Sequence, residues 1–191
     1  MRESAKLILP FAVWMVLMKV LPNTAVMYAI RAVVTAGLLV WSLWGKKIDG
    51  DYFKRAISWG VPIGVLVLAI WIAPEHVEEY KKYCIIGEGG TNKIAEANAG
   101  LLVMRLLGSA FVIAIAEELF FRKWLIRFAG FWWMTALFAI EHDRFLVGAI
   151  AGIIYGWIYL RKGLGAAIIA HVTTNFLLGL YVIYFNEWQL W

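Results

Sequence analysis

Long apolar runs, separated by short polar or basic breaks, make up most of this chain. They cover Lys6–Leu21, Ala25–Trp44, Ala56–Ala73, Ala99–Phe128, Phe131–His142, Phe145–Leu160 and Leu164–Phe185. About 20 apolar residues in a helix cross the hydrocarbon of a bilayer. The pattern therefore predicts an all-α fold, a polytopic transmembrane bundle of about seven spans. The later breaks are tight: Ala129-Gly130, Asp143-Arg144 and Arg161-Lys162-Gly163. The fourth run is long for one crossing, which implies tilt or first turns outside the hydrocarbon. Pro74 is expected to end the third helix, which Gly60 and Pro62 can bend, and Gly148, Gly152 and Gly156 form a small-residue ridge for close helix packing. The one long polar segment, Glu75–Asn98, contains Gly87, Gly89 and Gly90 as breakers. It reads as a solvated connection, with a short interfacial helix near His76–Tyr83 as the alternative. The whole is a single integral-membrane domain, with accessory helices and the polar segment over 1–95 and a helical core over 96–191.

Composition supports this reading. Of the 191 residues, 63% are hydrophobic and 16% charged, whereas a soluble domain is nearer half apolar and a quarter charged. Eleven Trp, eight Tyr and eleven Phe fit aromatic belts at two membrane interfaces; Trp132, Trp133, Trp157 and Trp188 read as belt and core. The net charge of +5 does not indicate nucleic-acid binding, because the basic residues sit in short loops where they set topology. Arg2/Lys6, Lys46/Lys47/Lys54/Arg55, Lys123/Arg127 and Arg161/Lys162 fall on one side, which puts the N-terminus in the cytoplasm and the C-terminus outside. Arg31 reads as a snorkelling residue near a helix end. Arg2 and Lys6 precede an apolar stretch as in a signal peptide, but no clear cleavage site follows, so a retained first span is expected. Lone Cys84 forms no internal disulfide, and no Cys pair suggests a zinc site. No cofactor is implied, and the bilayer is the evident partner. Oligomeric state is not legible.

The candidate chemistry lies in Ala114-Ile115-Ala116-Glu117-Glu118-Leu119-Phe120-Phe121-Arg122, two acids and an arginine inside an apolar run. Ionisable groups at such a depth are costly and mark functional sites. With a rise of about 1.5 Å per residue, Glu117 lies about 16 Å from the basic side, His142 about 20 Å, His171 about 12 Å and Asn175 about 18 Å. His171 and Asn175 share a helix face, and Glu118 and Arg122 are an i,i+4 ion pair with the acid first. Glu117, about 100° round the helix from Glu118, is free to face the bundle centre. A carboxylate, two imidazoles and an amide in a wet cavity fit peptide hydrolysis. A glutamate activates water as general base, a histidine orients the water or protonates the leaving amine, and a second histidine with an amide NH₂ stabilises the oxyanion. Glu118–Arg122 reads as structural support. His142, between Glu141 and Asp143, also fits an outer loop cap. Ser109 has no adjacent His and is a weak nucleophile candidate.

The three motifs Glu117-Glu118-Leu-Phe-Phe-Arg122, Phe138-Ala-Ile-Glu-His142 and His171-Val-Thr-Thr-Asn175 resemble, in order, the EExxxR, FxxxH and HxxxN pattern of the CPBP intramembrane glutamic proteases. That family includes the type II CAAX prenyl endopeptidases and Abi-type proteins. The resemblance implies that Glu117 is the base, that His142 helps activate water, that His171 and Asn175 form the oxyanion site, and that Glu118 and Arg122 support them. Glu141-His142-Asp143-Arg144, with the Gly-rich run after it and Arg161-Lys162-Gly163, looks most like a bacterial branch associated with exosortase-type C-terminal sorting. It implies substrates that are envelope proteins with a C-terminal hydrophobic tail, in the bacterial inner membrane, rather than prenylated CaaX proteins. Two other readings stay open. One is a metal-dependent membrane protease using the same residues, although H-E-x-x-H is absent. The other is a non-enzymatic immunity, scaffold or proton-coupled transport protein.

Overall fold

Each break in the hydrophobic pattern turns the chain back on itself, and helices fill the space between. The computed structural model describes residues 2–47, 49–77 and 98–190. Most of the long polar segment, including Cys84 and residues 78–83 of the alternative interfacial helix, lies outside the described residues. The elements are α1 (Arg2–Val20), α2 (Ala25–Leu43), α3 (Gly50–His76), α4 (Ala99–Leu107), π1 (Gly108–Ile113), α5 (Ala114–Glu117), π2 (Glu118–Leu125), α6 (Ile126–Ile140), α7 (Phe145–Lys162), α8 (Leu164–Phe185) and a 3₁₀ turn (Trp188–Leu190). Among the described residues there is no strand, so the fold is an all-α membrane bundle.

Among the described residues, five helical segments are long and apolar enough to cross a membrane: α2, α3, the run Ala99–Ile140, α7 and α8. The sequence suggested about seven spans. Two features account for the difference. Helix α1 contains Glu3, Lys6, Lys19 and Pro10 and is not among the five. Ala99–Ile140 counts once although it folds back at Gly130, whose φ of 77° and ψ of 174° suit a residue without a Cβ. A straight helix would hold Phe121 and Phe138 about 25 Å apart, yet their ring centroids are 5.2 Å apart.

Side-chain caps set several helix starts. Thr24 accepts from the Met27 N–H at 3.3 Å, and Asn98 accepts from Leu101 at 3.0 Å. Asp49 accepts from Asp51 and Tyr52, so α3 begins at Gly50, well before Ala56, and draws half of the basic connection into its first turns. Pro74 lies inside the last turns of α3 and does not end it.

Two glycine ridges bring the bundle together. A Cβ on Gly60 would lie 2.6 Å from the Ile169 side chain, and one on Gly64 2.5 Å from the Ala170 carbonyl. Helix α3 therefore packs backbone to backbone on α8. The expected ridge on α7 packs against α6 and the turn after it: a Cβ on Gly156 would meet Phe131 at 2.8 Å, and one on Gly148 the His142 Cβ at 3.2 Å. Arg31 does not snorkel. It is buried, and its Nη2 donates to the Pro22 carbonyl at 2.6 Å and to that of Leu21 at 3.3 Å, satisfying the exit of α1. The outer surface is apolar and aromatic, with Phe128, Trp132, Trp133 and Tyr184 all exposed.

Candidate active site

The acidic stretch forms a distorted part of the bundle. Helix α5, ending at Glu117, lies between two π-helical segments, π1 and π2. Such i→i+5 segments are rare and occur often at functional sites. The sequence pattern gave no sign of them.

Glu118 and Arg122 form the expected pair, Oε1 to Nη1 at 3.1 Å, with both side chains fully buried. Arg122 is also caged by aromatic faces, its guanidinium 4.1 Å from the Phe138 ring centroid, 5.6 Å from Tyr155 and 5.8 Å from Phe121. Ring faces attract cations most strongly where water is excluded.

The two acids were expected to diverge. In the structure both reach His171. Its Nδ1–H donates to Glu118 Oε1 at 2.9 Å, and its Nε2 faces Glu117 Oε2 at 3.7 Å. Two ring nitrogens on opposite sides of one imidazole span the angle between neighbouring helical residues. Tyr155 stacks on the same imidazole, centroids 4.7 Å apart at 21°. Its hydroxyl donates to Thr174 Oγ1 at 2.7 Å, and Thr174 bonds in turn to the Gly64 carbonyl at 2.8 Å. The ring of His171 is therefore fixed from α7, from its own helix and from α3.

His142 and Asn175 approach from other elements. His142 Nδ1 lies 2.8 Å from the Phe138 carbonyl. A carbonyl only accepts, so Nδ1 carries the proton and Nε2 is left as an acceptor. The ring packs edge-on to Trp71 at 5.5 Å. Asn175 Nδ2 donates to the Ser109 carbonyl at 3.1 Å, which ties α8 to π1. A cavity of about 150 Å³ runs between these groups, lined in part by His142, His171, Asn175, Ser109, Trp71 and Leu190. The Glu117 carboxylate is buried beside His171, and among the described residues its Oε2 has no hydrogen-bond partner.

Sequence reasoning missed three participants. Trp71 reads as one more aromatic residue in an apolar run, yet it forms cavity wall. Arg144 reads as a loop charge. It is buried, ion-paired with Glu75, and donates to the Trp71 carbonyl at 3.2 Å. Glu141 reads as part of an outer cap, but its Oε2 is buried and has no hydrogen-bond partner among the described residues. Only Glu141 left a sequence signal, through its place beside His142. Among the described residues no group of three or more His, Cys, Asp or Glu side chains is arranged to hold a metal ion.

The matched motifs all fall within one stretch of the chain. Residues 99–177 match the Rce1-like family of type II CAAX prenyl endopeptidases. No curated protein and no solved structure matches the chain. The matched stretch begins at α4 and ends just beyond Asn175, so it includes Glu117, Glu118, Arg122, His142, His171 and Asn175. The Rce1-like family is a protease family, and with five membrane-length helices among the described residues the match supports an integral membrane endopeptidase of CAAX type.

Proposed function

We propose that this chain is a glutamic intramembrane endopeptidase, with Glu117 as general base on a water held in the cavity. The observation that carries this reading is the convergence of Glu117 and Glu118 on His171, beside a cavity that also presents His142 and Asn175. His142 Nε2, the free acceptor, takes a hydrogen bond from the water as Glu117 receives its proton. Attack on the scissile carbonyl forms a tetrahedral oxyanion. His171 carrying both protons keeps Nδ1–H on Glu118 and offers Nε2–H to that oxyanion, and the Asn175 NH₂ is the second donor. The proton held by Glu117 then passes to the departing amine. Glu118 and Arg122 position His171 and balance each other's charge.

The substrate in this reading is a membrane-associated protein cleaved near a C-terminal hydrophobic tail, and the protein resides in a bacterial plasma membrane. Motif order and the apolar lining of the cavity support the tail. The bacterial setting rests on the branch resemblance alone.

The test is cleavage of a tailed reporter by purified protein in detergent or proteoliposomes. Glu117→Ala, His142→Ala and His171→Ala are each expected to lower the rate at least about 100-fold, the usual scale for a lost acid–base group. Cleavage retained by Glu117→Ala would overturn the mechanism.

A further inference from the structure

A second pocket lies at the other end of the bundle, far along the chain from the acidic motif. Its volume is about 330 Å³, and among the described residues its lining is Tyr52, Arg55, Trp59, Arg161 and Lys162. Three of these five side chains are cationic, two are aromatic and none is acidic. The pocket is built by two elements that meet at a corner. The first turns of α3 supply Tyr52, Arg55 and Trp59, and the end of α7 supplies Arg161 and Lys162. The corner is closely fitted: Tyr52 Oη accepts from the Gly165 N–H at 2.8 Å, and a Cβ on Gly165 would lie 2.8 Å from the Tyr52 ring. Lys162 Nζ is held 3.8 Å above the centre of the Trp59 ring. The cations are therefore grouped by the fold around a concavity and are not merely scattered along two loops.

Its depth is fixed by the same elements. Both α3 and α7 are helices of membrane length, and the pocket sits at the start of one and the end of the other. That is where a bilayer presents its headgroups, and basic pockets between transmembrane helices at that level suit anionic lipid heads. The geometry points to a binding site for the phosphate of an anionic glycerophospholipid, with Arg55, Arg161 and Lys162 on the phosphate and Trp59 and Tyr52 flanking the glycerol region. It involves no residue of the proposed catalytic apparatus.

Native mass spectrometry of the detergent-purified full chain tests this, with phosphatidylglycerol, phosphatidylcholine and inorganic phosphate as separate probes. One phosphatidylglycerol per chain is expected to be retained, at least about tenfold more tightly than phosphatidylcholine. The double variant Arg55→Gln/Arg161→Gln is expected to lose that preference, whereas Lys46→Gln/Lys47→Gln, which removes as much charge outside the pocket, keeps it. An equal loss in both variants, or no preference in the parent protein, overturns the site. Displacement of the lipid by millimolar phosphate alone makes free phosphate the ligand and overturns the lipid assignment. As a check independent of folding in the variants, phosphatidylglycerol should raise the thermal midpoint of the parent protein above that in phosphatidylcholine, and equal midpoints count against the proposal.

Discussion

At the scale of single residues, Arg122 determines whether the site can exist. Its guanidinium is fully buried and ion-paired with Glu118 at 3.1 Å, and among the described residues it makes no well-aligned hydrogen bond. The faces of Phe138, Tyr155 and Phe121 supply the rest of its environment. Removing one partner of a buried ion pair leaves the other charge uncompensated and costs about 3–5 kcal/mol. Arg122→Met is therefore expected to lower stability by about that amount and to abolish cleavage, because Glu118 then loses the charge that balances it beside His171. Thermal unfolding in detergent beside the reporter assay reads both, and an Arg122→Met protein that melts and cleaves like the parent refutes this account. Much of this was legible in the sequence, where an acid and an arginine one turn apart in an apolar run can hardly avoid each other. The aromatic cage was not legible, since Phe138 and Tyr155 come from other helices. The same holds for His171 meeting both acids: spacing fixes the angle between Glu117 and Glu118, but only packing places one imidazole across it.

At the scale of elements, the close contact of α3 with α8 is what lets a distant segment support His171 through Thr174 and the Gly64 carbonyl. The glycines are a condition of that contact. Gly64→Ala puts a methyl 2.5 Å from the Ala170 carbonyl oxygen, a backbone atom, so the helices must separate. Overpacking of this kind costs typically about 1–3 kcal/mol. A methyl on Gly37 of α2 would have nothing within 4 Å, and Gly37→Ala is expected to be neutral or stabilising by up to about 1 kcal/mol. Differential scanning of the two variants in one detergent separates the cases, and equal effects would show that the ridge is not needed. The α7 ridge was visible as Gly148, Gly152 and Gly156 at a four-residue spacing. Gly60 and Gly64 have the same spacing, but Pro62 between them suggested a bend instead. The early start of α3 has a local cause in the Asp49 cap, which competes with the basic loop reading.

At the scale of the whole molecule, the helices before residue 78 are built into the site. Trp71 of α3 forms cavity wall against His142. Arg144, in the turn before α7, binds both Glu75 and the Trp71 carbonyl. On the other side Phe11 of α1 packs on Phe120 and Phe121 of π2, centroids 4.7 and 5.2 Å apart. A fragment of residues 96–191 holds every motif residue, yet expressed alone it is expected to show no reporter cleavage and a lower thermal midpoint than the full chain. Full activity in that fragment would show that the first three helices are dispensable.

The sequence by itself determined that the chain is helical and membrane-embedded, and which polar residues stand inside its apolar runs. Runs of membrane length had to become helices, because a backbone in lipid must satisfy its own hydrogen bonds. Ionisable groups stranded in those runs had to gather, because each is costly alone. Depth along a helix follows from rise per residue, so four polar groups could be placed at a common level from spacing alone. What only the tertiary structure decided was how those groups are oriented and what encloses them. The π segments, the turn at Gly130 and the seating of α3 on α8 set rotation and distance between helices, and a linear pattern of apolar residues carries no information about either.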